Sequence, residues 1–596
     1  MRTTGFRNRI RVRVNPRSAF LAFVLLLLLP CCSIAQVPNP ELVLKENQLN
    51  QLFEENPTIH KINIEAYDLF DPRIPTYRHW VFGFANKFHY KTRESFIRRE
   101  LLLREGDQWD PDLAEQSERN LRQYGIFTGV DITPSTAGSN LVDVKVHTED
   151  QWSLRFDISA GTSAGLSTYH FSVQEGNFLG LGKTVGIGYE KQAERSFYGL
   201  FYSDPQFLNS RLNYDLDLQK ASDGWRAQSD VIHPFYSVDT KWGYGVMWDS
   251  GSFTTQLHYK GQNAAEIDTD HRSATVYASR AWGQRYHKTH FGFLFDADNL
   301  LYPKPARIIL PDLSNVKAIS KNLHPINREG YLFGALFKVD YQRFVEQTYL
   351  DNFGKVEDYP QGLQWSTVFG PSQNVTPNTP DYFALHTLAL YGHEFNPAQY
   401  MTLQAEFLGW RQTDGKYNNM IFNAYAHYYA KLPEFSLGSI TFPRQTFAAN
   451  FSTSLSKNAV APYQVSLGED EGLRGYTFKS FTGQNKLLLN VEDRVFTPLD
   501  FRLIGIGFAY FMDAGYAWSS DDHLSFDDFG LSVGAGLRIG LKKSQSAKVI
   551  RVDLAFPLHK NFGAFGFTQQ KGYSISVSSG QIFEVIQNVP KLFTLF

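Results

Sequence analysis

Cysteine is almost absent. The 596-residue chain has two, Cys31 and Cys32, and both fall within the first 35 residues. Past that point neither a disulfide nor a thiolate metal site can form. Long apolar runs are also missing. After Ala35 no segment reaches the roughly 18 nearly uncharged apolar residues that a membrane-spanning helix requires. If the remaining chain crosses a bilayer it does so as a closed barrel, because only helices and closed barrels satisfy every backbone group in lipid. A basic surplus is lacking as well, so no nucleic-acid partner is expected.

What the sequence does contain begins with an export signature. Arg2, Arg7, Arg9, Arg11, Arg13 and Arg17 precede the apolar run Phe20 to Leu29, and Ser33-Ile34-Ala35 supplies small residues where a signal peptidase cuts. A cleaved signal peptide over residues 1–35 is expected. The alternatives are an uncleaved anchor and a lipoprotein modified at Cys31 or Cys32; the latter fits poorly, with Pro30 or Cys31 standing where a small residue belongs. Cleavage leaves 52 basic against 60 acidic residues, a net charge of about −8. Aromatics make up 15% of the chain, with 49 Phe and 31 Tyr, which suits the aromatic girdles of an outer-membrane barrel.

Residues 36–56 read as a polar linker, with a short helix between Glu41 and Glu55 as its one structured option. Over 57–151 the pattern is that of a small α/β unit. Ile59, Ile62 and Ile64 mark a strand, and Phe96, Ile97 and Leu101 recur at helical spacing in a helix that Gly106 is expected to end. Asp110-Pro111 opens a second helix as N-cap and first-turn proline, with Leu113, Ala114, Leu121 and Tyr124 as its apolar stripe. Strands around Val130 and Ile132, then Leu141 to Val146, follow. The run from Thr92 to Ile132 resembles the POTRA repeat that adjoins the barrel in BamA/TamA-type polypeptide-transport proteins. It departs from that repeat in its long connection, Asp71 to Tyr90. The resemblance implies a sheet edge that takes up an extended client by β-augmentation. The competing reading is a rigid spacer whose edge is covered.

From Trp152 to Phe583 alternation with period two dominates. Tyr331, Phe333, Ala335, Phe337, Val339 and Tyr341 oppose Lys338, Asp340 and Gln342; Leu531, Val533, Ala535, Leu537 and Ile539 oppose Ser532, Gly534, Gly536 and Arg538. A soluble sandwich alternates in the same way. The export signal, the aromatic content and the missing cysteines favour a membrane barrel over 152–583, of about 16 strands. The expected fold class is therefore mostly β, a transmembrane antiparallel barrel preceded by one α/β POTRA domain, with a C-terminal extension over 584–596.

Several motifs resemble the same superfamily: Asn177 to Gly182, Gly472-Leu473-Arg474-Gly475-Tyr476, Asn490 to Arg494, Phe511 to Gly515, Gly534 to Arg538, and Arg551 to Asp553 with Pro557. The resemblance implies that Arg474 lies on an outer loop folded back into the lumen and pairs with Glu492 and Asp513. Gly475 would let the backbone approach the wall, with Leu473 and Tyr476 packed beside it. Parity agrees without help from the resemblance. Glu492 opposes Leu487, Leu489 and Val491, and Asp513 opposes Tyr510 and Met512, so both carboxylates face the lumen, where a charge avoids the cost of lipid. Phe583 is expected to be the terminal aromatic of a last strand that meets the first in a seam.

Enzymatic signatures are weak. Gly161-Thr162-Ser163-Ala164-Gly165 fits a nucleophile elbow but lacks the strand-turn-helix context. Gly182-Lys183-Thr184 lacks the upstream glycine of a phosphate loop. The 16 histidines show no ligand spacing. No enzyme, cofactor or metal is expected. The resemblance implies an assembly or translocation factor in the bacterial outer membrane, its POTRA domain periplasmic. Its partners would be unfolded outer-membrane or secreted polypeptides, outer-membrane lipids, and accessory periplasmic or lipoprotein subunits. The alternatives are a two-partner-type secretion pore for one cognate protein and a structural surface-antigen barrel.

Overall fold

The computed structural model describes residues 57–581 except 71–82, 84–85, 88, 139, 164–165, 192–194, 311–316, 321, 355, 378, 438–439, 470, 502–503, 520–523, 542–548, 559–572 and 580. The expected signal segment, the 36–56 linker, most of the Asp71 to Tyr90 connection, Phe583 and the 584–596 extension lie outside the described residues.

The first unit contains β1 (Thr58–Tyr67), α1 (Glu94–Glu100), α2 (Pro111–Gln123), β2 (Phe127–Gly138) and β3 (Leu141–Asp150). The central strand β3 runs parallel to β1 and antiparallel to β2. Phe96 and Ile97 of α1 and Leu121 of α2 close over Ile59, Ile62, Val144 and Val146 in one apolar core. The Asp110 side chain caps α2 by accepting from the N–H groups of Asp112 and Leu113, with Pro111 at the first turn. Helix α1 is shorter than its sequence suggests. Leu101 is already extended, so the Leu101-Leu102-Leu103 run alternates instead of spiralling, and Leu101 and Leu103 both enter the core.

The wall begins with short strands: β4 (Leu154–Ser163), β5 (Leu166–Phe178), β6 (Lys183–Lys191), β7 (Ser196–Phe207), β8 (Leu212–Ala221) and β9 (Gly224–His233). Longer ones follow: β10 (Trp242–Tyr259), β11 (Gln262–Gln284), β12 (His287–Leu301), β13 (Arg328–Gln347), β14 (Glu357–Asn374), β15 (Tyr382–Asn396), β16 (Gln399–Gln412) and β17 (Tyr417–Leu432). The circuit ends with β18 (Arg444–Lys457), β19 (Asn485–Phe501), β20 (Ile504–Trp518), β21 (Gly530–Leu541), β22 (Ile550–Pro557) and β23 (Ser574–Ser579). Each pairs antiparallel with its neighbour, and β23 pairs with β4 to close the barrel.

Twenty wall strands stand among the described residues, not the expected 16 or so. The cause is loop length. Two-residue turns such as Ser222-Asp223, Lys260-Gly261, Arg285-Tyr286 and Pro397-Ala398 join long ladders, so less chain goes into loops than an allowance for long outer loops assumes. Lys260 and Gly261 both adopt positive φ, the conformation that matches strand twist in a tight hairpin.

The barrel is inverted relative to a soluble core. Large apolar side chains such as Phe293 (67% exposed), Tyr198, Ile187 and Phe333 stand on the outer surface, whereas Glu492, Asp513, Ser532 and Asp553 are buried inside. Alternation therefore has the sense of a lipid-facing wall. Among the described residues no helix is long and apolar enough to cross a membrane.

Candidate functional site

The segment joining β18 to β19 folds into the lumen from the barrel end opposite the first unit. A two-stranded ribbon, Val465–Leu467 with Phe481–Gly483, forms its base. Gly472 and Gly475 have φ of +96° and +87°, and a Cβ at Gly475 would lie 3.3–3.4 Å from Pro557 and Ser532, so glycine permits both the turn and the approach to the wall. Leu473 and Tyr476 are fully buried beside Phe481 and Leu488. The Tyr476 hydroxyl donates to the Leu531 carbonyl (3.0 Å) and accepts the Leu531 N–H (2.9 Å) at the start of β21.

Between those anchors Arg474, 1% exposed, meets the wall. Its Nε and Nη2 each donate at 2.7 Å to a different oxygen of Asp513, and its Nη1 donates to Glu492 Oε1 at 2.6 Å. The guanidinium also lies 3.4 Å from the centroid of the Phe511 ring. This bidentate fork fixes geometry that a lysine ammonium cannot reproduce. Asn490 braces it, donating to the Gly472 carbonyl (2.7 Å) and to Asp513 (2.8 Å). The pairing continues along the wall. Glu492 also receives Arg494 (3.0 Å) and Arg538 (3.4 Å), while Asp553 receives Arg538 (2.6 Å) and Arg551 (3.0 Å).

The structure thus brings Leu473, Arg474, Gly475, Tyr476, Glu492 and Asp513 together. Phe511, Asn490 and Asp553 escaped the sequence reading as partners. Parity points to them: Asn490 shares a face with Glu492, and Phe511 shares one with Asp513.

The loop also reaches the closing strand, where the Glu469 carboxyl lies beside the hydroxyls of Ser574 and Ser576 on β23. That strand is the shortest wall strand among the described residues. Among the described residues it meets β4 through three pairs, Ile575 with Thr162, Ser576 with Gly161 and Val577 with Ala160. By contrast β10 and β11 pair from Trp242 to Tyr259. Gly161, Thr162 and Ser163 of the elbow-like pentapeptide lie in β4 itself.

At the other end the first unit is docked on the barrel mouth. Asn177 donates to Thr92 (2.8 Å), and Gly180 and Gly182 take positive φ so that the turn can lie against the Lys91 carbonyl and the Phe96 ring. The Asn177 to Gly182 motif is therefore a docking turn. Arg122 of α2 grips Asp358 in a second bidentate fork (2.9 and 3.1 Å), Arg211 pairs with Glu100 (2.8 Å), and Arg285 pairs with Asp110 (2.6 Å).

The sheet edges of that unit are partly spent. On β1, Thr58 bridges Gln108 and the Ile62 N–H donates to Glu105. On β2, the Ile132 N–H points away from β3 and donates to Glu118 (2.6 Å), and Pro134, which shares its parity, has no N–H. The β2 edge keeps its carbonyls but is short of donors. Burial pushes the Glu118 carboxyl up to about 7, against the pull of the Ile132 N–H and Arg122.

Comparison with known proteins finds matches over part of the chain. The family described as a surface antigen variable number repeat, the POTRA domain, matches residues 86–159. A putative outer membrane protein assembly factor of Treponema pallidum is 27% identical over 136 residues, 22% of this chain and 16% of that protein. The outer membrane protein assembly factor BamA of Neisseria meningitidis serogroup B is 25% identical over 157 residues, 25% of this chain and 20% of that protein. These matches support a relation to the BamA/TamA-type superfamily. The matched stretch spans a fifth or less of either curated relative. The solved BamA from Haemophilus ducreyi lacking POTRA domains 1–3 aligns over 92% of this chain and 95% of its own, at 13% identity and a TM-score of 0.40. The POTRA match falls on the unit over β1 to β3, which is therefore the POTRA domain.

Proposed function

We propose that this protein is an outer-membrane assembly or translocation factor. Its POTRA domain, facing the periplasm, receives extended polypeptides, and its barrel passes them into or across the membrane. The observation that carries this reading is the seam. Among the described residues the junction of β23 with β4 is held by three residue pairs, and the Glu469 carboxyl of the lumen loop lies beside β23. A short ladder costs little to separate, and an opened β4 edge presents a row of free backbone groups to an incoming strand. The folding free energy of the client supplies the drive. Lipids contact the apolar outer face, and accessory periplasmic or lipoprotein subunits would gather at the POTRA surface.

Depletion followed by outer-membrane proteomics tests the reading. Broad loss of barrel proteins is expected. Loss of a single exported protein would instead indicate a dedicated secretion pore, and an unchanged membrane would leave a structural barrel. Paired cysteines at Ala160 and Val577, register partners across the seam, should abolish activity on oxidation and restore it on reduction. Full activity with the cross-link verified would exclude sideways opening.

A further inference from the structure

The hairpin between β13 and β14 does not turn in solvent. Residues 349–354 fold into the lumen from the POTRA end and reach the wall formed by β18 to β21. Leu350 is 1% exposed, packed with Tyr359, Tyr400 and Tyr429. Phe353 is buried with Phe496 and Val549. Its ring lies on backbone stripped of side chains, because a Cβ at Gly505, Gly507 or Gly540 would come within 2.2–2.9 Å of it. Polar contacts hold the rest of the segment. The Thr446 hydroxyl donates to the Tyr349 carbonyl (2.7 Å), and Gln581, just past β23, donates to the Asp351 carbonyl (2.8 Å). The Tyr359 hydroxyl donates to the Asp351 carboxylate (3.1 Å). The central clasp is Arg494, whose Nη1 donates to the Leu350 carbonyl and to Asp351 Oδ1, both at 2.8 Å.

Arg494 is also the residue whose Nε occupies Glu492 Oε2, while Arg474 occupies Glu492 Oε1. A single wall carboxylate is therefore shared by an arginine from the far-end loop and an arginine that clasps the POTRA-end loop. The series Asp513, Arg474, Glu492, Arg494, Asp351 is continuous and buried. With Arg538, Arg551 and Asp553 it balances four guanidinium groups against four carboxylates. Removing one member leaves its neighbours short of a buried counter-charge, so the network gains most when both loops are seated.

We propose that residues 349–354 form a second plug, closing the lumen from the POTRA end, and that Glu492 couples its seating to that of the Arg474 loop. Loosening either loop loosens the other. Because Gln581 holds the same segment, the plug is also tied to the chain leaving β23, beside the seam. The inference concerns this barrel's own gating and holds whichever polypeptides it carries.

Labelling tests it in the full-length protein with Cys31 and Cys32 replaced. Leu350→Cys puts a thiol inside the seated plug without touching Asp351 or Phe353. A bulky maleimide should label it slowly in the folded barrel. Asp351→Asn should speed labelling, and so should Arg474→Lys on the other loop, by roughly tenfold, within the range for substitutions along a coupled network. Heat-modifiability confirms that each barrel remains closed. Rapid labelling of Leu350→Cys without a second substitution would overturn the plug. An unchanged rate in Arg474→Lys, with Asp351→Asn accelerated, would overturn the coupling and leave the plug. Phe353→Ala gives a separate reading in planar bilayers: more frequent channel openings are expected, and unaltered conductance in a closed barrel would count against occlusion.

Discussion

The POTRA domain and the barrel are built on opposite economies of burial. The domain builds its core from Phe96, Ile97, Val144 and Val146 and buries only isolated acids such as Glu100 and Asp150. The barrel shows Phe293, Phe333 and Tyr198 to its surroundings and hides Arg474, Arg494, Glu492 and Asp513. Apolar burial is non-directional and tolerates small changes of shape, whereas a buried ion network holds only while every member is present. Substitutions of charge should therefore injure the barrel most where they would matter least to a soluble domain.

The largest effect expected is that of Arg474→Ala. It strands Asp513 without its guanidinium and removes one of the three that Glu492 holds, and should cost about 3–5 kcal/mol, read as a lowered temperature for loss of heat-modifiability in detergent. Behaviour like the native protein's would mean that the loop contributes nothing to the wall. Next is Phe293→Arg on the outer face, expected to cost about 2–4 kcal/mol if the residue lies near the bilayer midplane. A neutral result in lipid vesicles would contradict the inverted reading of the barrel. The smallest effect lies in the POTRA domain and depends on pH. The Glu118 carboxyl, facing Arg122, Asp131 and Glu346, is raised from 4.5 to about 7 by burial. Between those values the folded form holds a proton that the unfolded form has released, so stability falls as pH rises through that window. Glu118→Gln should flatten this part of the slope in thermal unfolding of the full chain. An identical slope would show that the carboxyl does not titrate there.

The same contrast explains what could be read from sequence. Period-two alternation makes parity legible, which is how Glu492 and Asp513 could be placed facing the lumen, while their pairing with Arg474 was implied by the family resemblance. Parity says nothing of what enters from a loop. Asp351 lies 143 residues before Arg494, in a short Tyr-Leu-Asp-Asn-Phe-Gly stretch whose composition resembles any surface turn; only the glycines at 505, 507 and 540 hinted at a close approach. The strand count was missed for a related reason, since two-residue turns leave little trace between long ladders. In the POTRA domain, helix punctuation identified α2 to its cap, while the three leucines after α1 suited helix and strand alike, and burial in the core decided between them.

One short connection remains to be weighed. Strand β3 ends at Asp150 and β4 begins at Leu154, so three residues, Gln151 to Ser153, join the POTRA domain to the first stave of the barrel, and Gln151 and Ser153 are buried. Fully stretched, such a leash reaches about 10 Å. The domain cannot swing far from the mouth without hauling on β4, the stave that meets β23, among the described residues, through three pairs. A pull on the domain arrives as tension at that junction of the cask.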